Sequence, residues 1–106
     1  MGVLELAVTA NALIVALCLD YPRRKREIMG GRLSRRTDIE FRYINSKMYD
    51  AAAEIVGEEL AELYIKEIGE KIGYAYSAVE DVSEVTYKIN KRKVKEGIAR
   101  RLYLAE

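Results

Sequence analysis

Residues 65–84 read IKEIGEKIGYAYSAVEDVSE, and this stretch decides how the chain is expected to fold. Its first half has isoleucines at helical spacing up to Gly73, where a glycine can end a helix in a left-handed conformation. Its second half opens with Ser77, followed three residues later by Glu80, which is the spacing of a capping box. Gly69 is small enough to let another helix approach closely. The stretch therefore predicts two short helices joined by a tight turn.

The same stretch resembles the helix-turn-helix of many DNA-binding regulators. In the twenty-residue frame of that superfamily, Gly69 stands at the fifth place, which is small, and Gly73 at the ninth, which turns the chain. The apolar fourth, eighth, fifteenth and eighteenth places are filled by Ile68, Ile72, Val79 and Val82. The resemblance covers about a fifth of the chain. It implies helices over residues 65–73 and 77–84 that meet at a steep angle, the second being the recognition helix.

One departure from the superfamily concerns the charge of that second helix, which carries Glu80, Asp81 and Glu84. Helices in the major groove present Arg, Lys, Asn or Gln to bases and phosphates, whereas carboxylates are repelled there. Two uses of the unit therefore stay open. It either reads DNA sequence, or it forms a three-helix module for packing or for binding a partner protein.

The N-terminal region is strongly apolar, and residues 3–20 are expected to form a buried helix with Leu6, Leu13 and Leu17 in the core. Its β-branched residues also allow a strand. Pro22 is expected to end the element. The uncharged run is only 14 residues long, shorter than the ~20 of a membrane span. No basic residue precedes the run, as it would in a signal peptide, so we expect a cytoplasmic protein.

Residues 23–44 suggest a short β-hairpin or ribbon. Gly30-Gly31 can form a tight hairpin turn, and a period-two pattern follows it. That pattern consists of Ile39, Phe41 and Tyr43 alternating with charged residues. The alternative is a helix capped by Thr37 with Glu40. We favour the strand because the apolar residues have high β-propensity.

The rest of the chain has helical periodicity. A helix is expected from Asn45-Ser46, with a break at Gly57, and a second from Glu58 to Ile72, whose glutamates, including Glu67, form an outer face. A last helix starts at about Lys91, with a short strand over residues 85–89 as an alternative before it. We therefore expect a single domain over residues 1–106. Its fold class is mainly α, a small helical bundle that contains the helix-turn-helix-like unit and the short hairpin.

Charge is segregated along a nearly neutral chain of 18 basic and 17 acidic residues. Residues 21–47 hold nine basic and three acidic residues, residues 48–84 hold two and ten, and residues 85–106 hold seven and two. Net charge excludes a globally basic nucleic-acid binder, so any such binding must use local patches. The alternative is that the blocks neutralise each other, within one molecule or between two copies.

The arginine-rich segments are the candidate nucleic-acid contacts, because such side chains bind phosphate by charge and by forked hydrogen bonds. The candidates are Arg23, Arg24, Lys25, Arg26, Arg32, Arg35, Arg36, Lys91, Arg92, Lys93, Arg100 and Arg101. Tyr21, Tyr43 and Tyr87 lie near them in sequence and could stack on unpaired bases, although tyrosines more often line the edge of a core. A solvated basic loop is the competing interpretation of the arginines.

Catalytic chemistry has little support. The chain has no His and one cysteine, Cys18, so it lacks a Cys/His zinc site and a Ser-His or Cys-His nucleophile pair. We expect no enzyme activity, no cofactor, no metal and a buried, inert Cys18. Glu54, Glu58 and Glu62 could hold a hard cation, but a solvated acidic stripe is the commoner use of that spacing.

These observations favour a non-enzymatic nucleic-acid-binding protein. One version is a helix-turn-helix regulator of transcription, acting as a dimer. The other is a small helical subunit of a ribonucleoprotein or CRISPR-type effector complex that contacts the nucleic-acid backbone through arginines, an interpretation that rests on analogy. A third possibility, from another class, is a protein–protein adaptor that binds a partner or a second copy through its charged blocks and binds no nucleic acid.

Overall fold

The computed structural model describes residues 3–102, and the side chains of residues 10–102. The helices are α1 (Val3–Gly30), α2 (Arg35–Val56), α3 (Glu58–Gly69) and α4 (Glu84–Arg101), with a 3-10 turn at Tyr74–Tyr76 before α4. No strand occurs within residues 3–102. The mainly helical class is therefore as expected, but the predicted β-hairpin is wrong.

Residues 23–44 form the end of α1 and the beginning of α2. Gly31 does supply the left-handed turn, with φ of +68°, but the turn joins two helices. Ser34, and not Thr37, caps α2 by accepting a hydrogen bond from the Thr37 N–H at 3.3 Å. The period-two pattern was misleading because Phe41 lies on the same helical face as Asn45 and Met48, and packing of that face decides the structure.

Pro22 lies inside α1, so the prediction that it ends the helix is wrong. A proline removes one helical hydrogen bond and disturbs the preceding turn. Here two side chains serve carbonyls around it: Arg24 donates to the Leu17 carbonyl at 2.6 Å, and the Asn45 amide donates to the Tyr21 carbonyl at 3.2 Å. These donors add hydrogen bonds to two backbone oxygens that precede Pro22, although the carbonyl that loses its helical donor there is that of Cys18.

The predicted helix over residues 77–84 is also absent, so the helix-turn-helix-like unit lacks its second helix. α3 ends at Gly69, and Lys71 takes the left-handed conformation, with φ of +56°, while Gly73 has φ of −81°. The Ser77 hydroxyl does not cap a helix; it accepts a hydrogen bond from the Val79 N–H at 2.9 Å. The cap is Ser83, which accepts from the Thr86 N–H at 3.1 Å and starts α4. This start lies before the expected Lys91 and also removes the alternative strand over residues 85–89.

The core lies where all four helices meet. It contains residues from each helix, among them Ile14, Cys18, Met48, Ala52, Ile65, Val94 and Ile98. Leu17 is half-buried against this cluster, but Leu13 is 44% exposed, so the prediction of a core Leu13 is wrong. The reason is the rotation of α1 about its own axis, which turns the neighbouring Ile14 towards the core and leaves Leu13 to one side. The Leu6 side chain is outside the described residues.

Gly69 sets the distance between α1 and α3. A Cβ at this position would lie 2.6 Å from the Leu19 Cα and 2.7 Å from the Cys18 carbonyl carbon, both of them backbone atoms. The small residue required by the sequence motif is thus used for close helix packing, but the partner is α1 and not a recognition helix. Gly57, with φ of +89°, provides the expected break between α2 and α3.

One end of the α1–α2 pair extends beyond the core. No residue from Lys25 to Ile44 is buried, whereas Arg24 and Asn45, at the two ends of this range, both are. We call residues 25–44 the arm, and the turn at residues 30–35 its tip. Across residues 3–102, none of the helices combines the length and apolar character that crossing a bilayer requires.

Candidate nucleic-acid interface

The twelve basic residues singled out in the sequence fall into two groups. Seven lie on the arm or at its base, and five lie on α4. Residues of α4 contact Asn11, Ala51 and Glu54, which are outside the arm. The structure therefore shows no contact that would connect the basic residues of the arm and those of α4 into one surface.

At the base of the arm, three of the candidates are used within the fold. Arg24 is only 3% exposed and donates to the Asn45 side chain at 2.7 Å, so it cannot reach a phosphate. Its burial lowers the pKa of the guanidinium, which Asp20 partly offsets. Arg23 pairs with Asp20 at 2.6 Å, and Lys25 pairs with Glu62 at 2.7 Å.

Three further candidates also have partners inside the chain. Arg36 contacts Glu40 at 3.2 Å, and Arg101 contacts Glu54. Lys91 donates to the Ile72 carbonyl at 2.7 Å, and partial burial lowers the pKa of its ammonium group. The Lys91 contact holds the connection after α3 and the Arg101 contact holds the end of α4, whereas the Arg36 contact is an exposed pair within α2.

Two sets of exposed cations remain without an ion pair to any residue in 10–102. The first set, at and beside the tip, is Arg26, Arg32 and Arg35, and the second, on α4, is Arg92, Lys93 and Arg100. Exposed, unpaired guanidinium groups can make forked hydrogen bonds to phosphate without first breaking a contact. The two sets are therefore the candidate contact points.

The tip has a second source of positive potential, because α2 begins there. The Ser34 side chain accepts from the Thr37 N–H alone, so the first N–H groups of the helix, at Arg35 and Arg36, remain for another acceptor. The positive end of the helix dipole points the same way, although Asp38 in the first turn reduces it. An anion at the tip would meet both side-chain and backbone donors.

The predicted stacking tyrosines are mostly not accessible. Tyr21 and Tyr87 are buried, and only Tyr43, at 46% exposure, could meet a base. Even the Tyr43 ring has the Lys47 ammonium 5.5 Å from its centroid. Tyr76 is the most exposed tyrosine in residues 10–102, at 87%, and its place on a 3-10 turn gave no signal in the sequence.

Glu67 is a structural residue that the sequence did not reveal. It was expected on the outer face with the other glutamates, but it is buried and accepts three hydrogen bonds. The donors are the Ser77 hydroxyl at 2.6 Å, the Tyr87 hydroxyl at 2.7 Å and the Ala78 N–H at 2.8 Å. Burial raises the pKa of this carboxyl, but the three hydrogen bonds outweigh it and lower the pKa overall.

Glu67 and Tyr74 hold residues 77–83 in place as a non-helical segment. Two hydrogen bonds to Glu67 fix the beginning of this segment, and Tyr74 fixes its end by donating to the Val82 carbonyl at 2.8 Å. Glu80 and Asp81 are exposed on the segment, and Glu84 opens α4, where it pairs with Lys88 at 2.8 Å. The acidic residues thus belong to a connecting segment and the start of α4.

The three glutamates at four-residue spacing do not converge on one point. Gly57 separates the helix of Glu54 from that of Glu58 and Glu62. Glu54 contacts Arg101, while Glu62 accepts from Lys25 at 2.7 Å and from the Tyr21 hydroxyl at 2.8 Å. The Lys25 contact, partly opposed by burial, lowers the pKa of Glu62. These carboxylates are used as separate ion-pair partners.

Comparison of the chain with protein-family models, with curated proteins and with solved structures found no match.

Proposed function

We propose that this protein is a non-enzymatic nucleic-acid-binding protein that contacts the phosphate backbone with the tip of its arm. The observation that carries the proposal is the grouping of Arg26, Arg32 and Arg35 around a helix start, all exposed and without an ion pair to residues 10–102. Exposed cationic side chains and the free backbone N–H groups of Arg35 and Arg36 thus lie at or beside the tip, and both kinds of donor suit phosphate.

Contact with the backbone is favoured over sequence reading. Residues 77–83 have no helix to place in a major groove, and the acidic Glu80 and Asp81 in this segment would repel DNA. Phosphate contacts position a protein but carry no sequence information. Of the two versions suggested by the sequence, we therefore prefer a helical subunit of a nucleoprotein complex over a helix-turn-helix transcription regulator.

The remaining features of the proposal follow from the chain's chemistry. Cys18 is a free, buried thiol, which suits a reducing compartment, and we place the protein in the cytoplasm. Arg92, Lys93 and Arg100 on α4 are a second set of exposed cations, with the exposed Glu96 among them, that would extend contact with a long nucleic acid. A second copy of the chain is a further proposed partner.

The test is binding to duplex and single-stranded oligonucleotides over a salt series. Replacing Arg26, Arg32 and Arg35 together by Gln should weaken binding and flatten the log–log salt dependence by about two to three units, since each phosphate contact contributes roughly 0.9 on duplex and 0.7 on single strands. Sequence preference should not change, because these contacts do not read bases.

The matched control removes the same charge from the second set of exposed cations, by replacing Arg92, Lys93 and Arg100 with Gln. We expect a smaller loss from this control. Equal losses from both triple variants would mean that net charge, and not the tip, controls binding. Undiminished affinity in the tip variant would place the contact elsewhere and overturn the proposal.

A further inference from the structure

One face of α2 is exposed along almost the whole helix. It contains residues three or four positions apart, which lie on one side of a helix: Arg35, Ile39, Tyr43, Ser46 and Asp50. We call these five residues the outer stripe. The opposite face, with Met48 and Ala52, packs in the core. Tyr43, at the middle of the stripe, is 46% exposed, and Ile39, one turn nearer Arg35, is 57% exposed, so two large apolar side chains lie together in solvent.

The charges of the outer stripe have opposite signs at its two ends. Arg35 is in the first turn of α2, and Asp50 lies towards the other end. Neither Arg35 nor Asp50 makes an ion pair with any residue in 10–102. Other charged residues of α2 do form pairs: Arg36 with Glu40, and Arg42 with Asp38. The stripe is thus positive at one end, apolar in the middle and negative at the other end.

We propose that the outer stripe is a self-association surface, on which a second copy of this chain packs with its α2 antiparallel. Arg35 and Asp50 are separated by 15 positions, or roughly 22 Å at 1.5 Å per helical residue. An antiparallel partner places Asp50 of the partner subunit opposite Arg35, and the reverse pair forms by symmetry. Ile39 then faces the partner's Ser46, and the two Tyr43 side chains lie near the two-fold axis.

A second copy fits this surface because the stripe is complementary to itself. A two-fold interface uses the same patch on both subunits, so each end of a patch must match its other end. The stripe meets this condition in charge, and antiparallel α2 helices also bring opposite ends of their dipoles together. A parallel arrangement would instead place Arg35 against the partner's Arg35. Nucleic acid would be repelled by Asp50 and would compete with the partner's Asp50 for Arg35, which is also one of the proposed phosphate contacts.

The test measures the dissociation constant of the dimer by sedimentation equilibrium, without nucleic acid, so that it does not depend on the proposed function. Wild-type protein should show a monomer–dimer equilibrium in the micromolar range, since a single helix pair is at the small end of interface sizes. Arg35→Asp or Asp50→Arg should each raise Kd roughly tenfold, because two ion pairs per dimer become repulsive contacts. The double variant should restore the wild-type Kd.

A control for net charge is Glu59→Arg, because Glu59 is an exposed acidic residue on α3, outside the stripe. It should leave Kd unchanged. Protein that stays monomeric at all concentrations would overturn the proposal. So would a dimer that neither charge reversal weakens, or one that the double variant fails to restore.

A cross-linking experiment tests the position of the two-fold axis. Cys18 is fully buried, and burial raises the pKa of its thiol to about 12, so it will not react in the folded protein. Tyr43→Cys should therefore form a disulfide-linked dimer on mild oxidation. Glu59→Cys is the matched control and should remain unlinked under the same conditions. Equal cross-linking of both variants would show random collisions and overturn the symmetric arrangement.

Discussion

At the residue scale, the fold depends on a few polar and small residues that look ordinary in the sequence. Arg24 is one of seven basic residues between positions 23 and 36, but only this one is buried. Its environment requires Asn45, 21 residues away, so no local pattern could distinguish it from Arg23 or Lys25. Glu67 differs from the exposed glutamates of α3 for the same reason, because its hydrogen-bond partners Ser77 and Tyr87 lie beyond the end of the helix.

The Glu67 carboxylate should make stability depend on pH in acid. Its folded-state pKa lies below the ordinary value of 4.5, so the ionised carboxylate stabilises the fold above about pH 4.5. This contribution is lost as the pH falls through the lowered folded-state pKa. Glu67→Gln should cost about 1–3 kcal/mol at neutral pH, because an amide cannot accept from all three donors. The difference from wild type should shrink in acid.

Urea unfolding at a series of pH values measures this effect, with the exposed Glu59→Gln on the same helix as the control. The control should unfold at nearly the wild-type urea concentration at each pH. If the Glu67→Gln protein differed from wild type by the same amount at every pH, the ionised carboxylate would not be the stabilising form.

The close packing at Gly69 leads to a second prediction at the residue scale. A methyl group there would overlap the backbone at Cys18 and Leu19, and backbone cannot move aside as a side-chain end can. Gly69→Ala should therefore destabilise the protein by about 1–3 kcal/mol or more, as overpacking does. Gly97→Ala is the matched control, because the nearest atom to its Cβ would be the Ala51 methyl at 3.4 Å, and the nearest backbone atom would be 3.9 Å away. Equal midpoints in thermal unfolding for the two variants would show that α1 and α3 are not in close contact.

At the scale of elements, helical periodicity predicted more than local propensity did. The helical class, the break at Gly57 and the start of α3 at Glu58 could all be read from the sequence. The hairpin could not be excluded, because Ile39, Phe41 and Tyr43 favour strands locally, while the helix is decided by the packing of other positions of α2, such as Asn45 and Met48. The second helix of the motif is absent, because the Ser77 hydroxyl accepts from the Val79 N–H two residues on while it donates to Glu67, and α4 begins only at Glu84.

Gly73 distinguishes the observed connection from a helix-turn-helix turn. Its φ of −81° is open to any residue, and no atom lies within 4 Å of a Cβ built there. Gly73→Ala should therefore stabilise the protein by about 0.4–1 kcal/mol, by restricting the unfolded chain. If Gly73 instead occupied a left-handed turn, Gly73→Ala would destabilise the protein. A lower free energy of unfolding in urea would therefore indicate the glycine turn of the helix-turn-helix motif.

The comparison for this prediction is Lys71→Gly, because Lys71 occupies the left-handed position. A non-glycine residue in the left-handed conformation destabilises the fold by roughly 1–2 kcal/mol. Glycine removes this strain, but it loses more backbone entropy on folding, which offsets part of the gain. We therefore expect Lys71→Gly to be neutral or stabilising in the same urea experiment.

At the scale of the whole molecule, the charge blocks of the sequence are partly neutralised within the fold. Lys25–Glu62 and Arg101–Glu54 each connect a basic block to the acidic middle. Such exposed pairs contribute little stability, about 0.2–1 kcal/mol each, but they remove cations from the free surface. Of the twelve candidate residues, those left for a phosphate are Arg26, Arg32 and Arg35 at or beside the tip and Arg92, Lys93 and Arg100 on α4. Sequence alone could not separate free from paired arginines, because pairing depends on distant residues.

The most direct test of the account is to map where an oligonucleotide touches the protein, by recording amide chemical shifts during a titration. We predict that the largest changes fall on the tip and the first turn of α2, at residues 30–37, with smaller changes on α4. The N–H groups at the start of α2 should respond most strongly, because they face the proposed phosphate site. Changes confined to α4, or to the acidic segment at residues 77–83, would contradict the account.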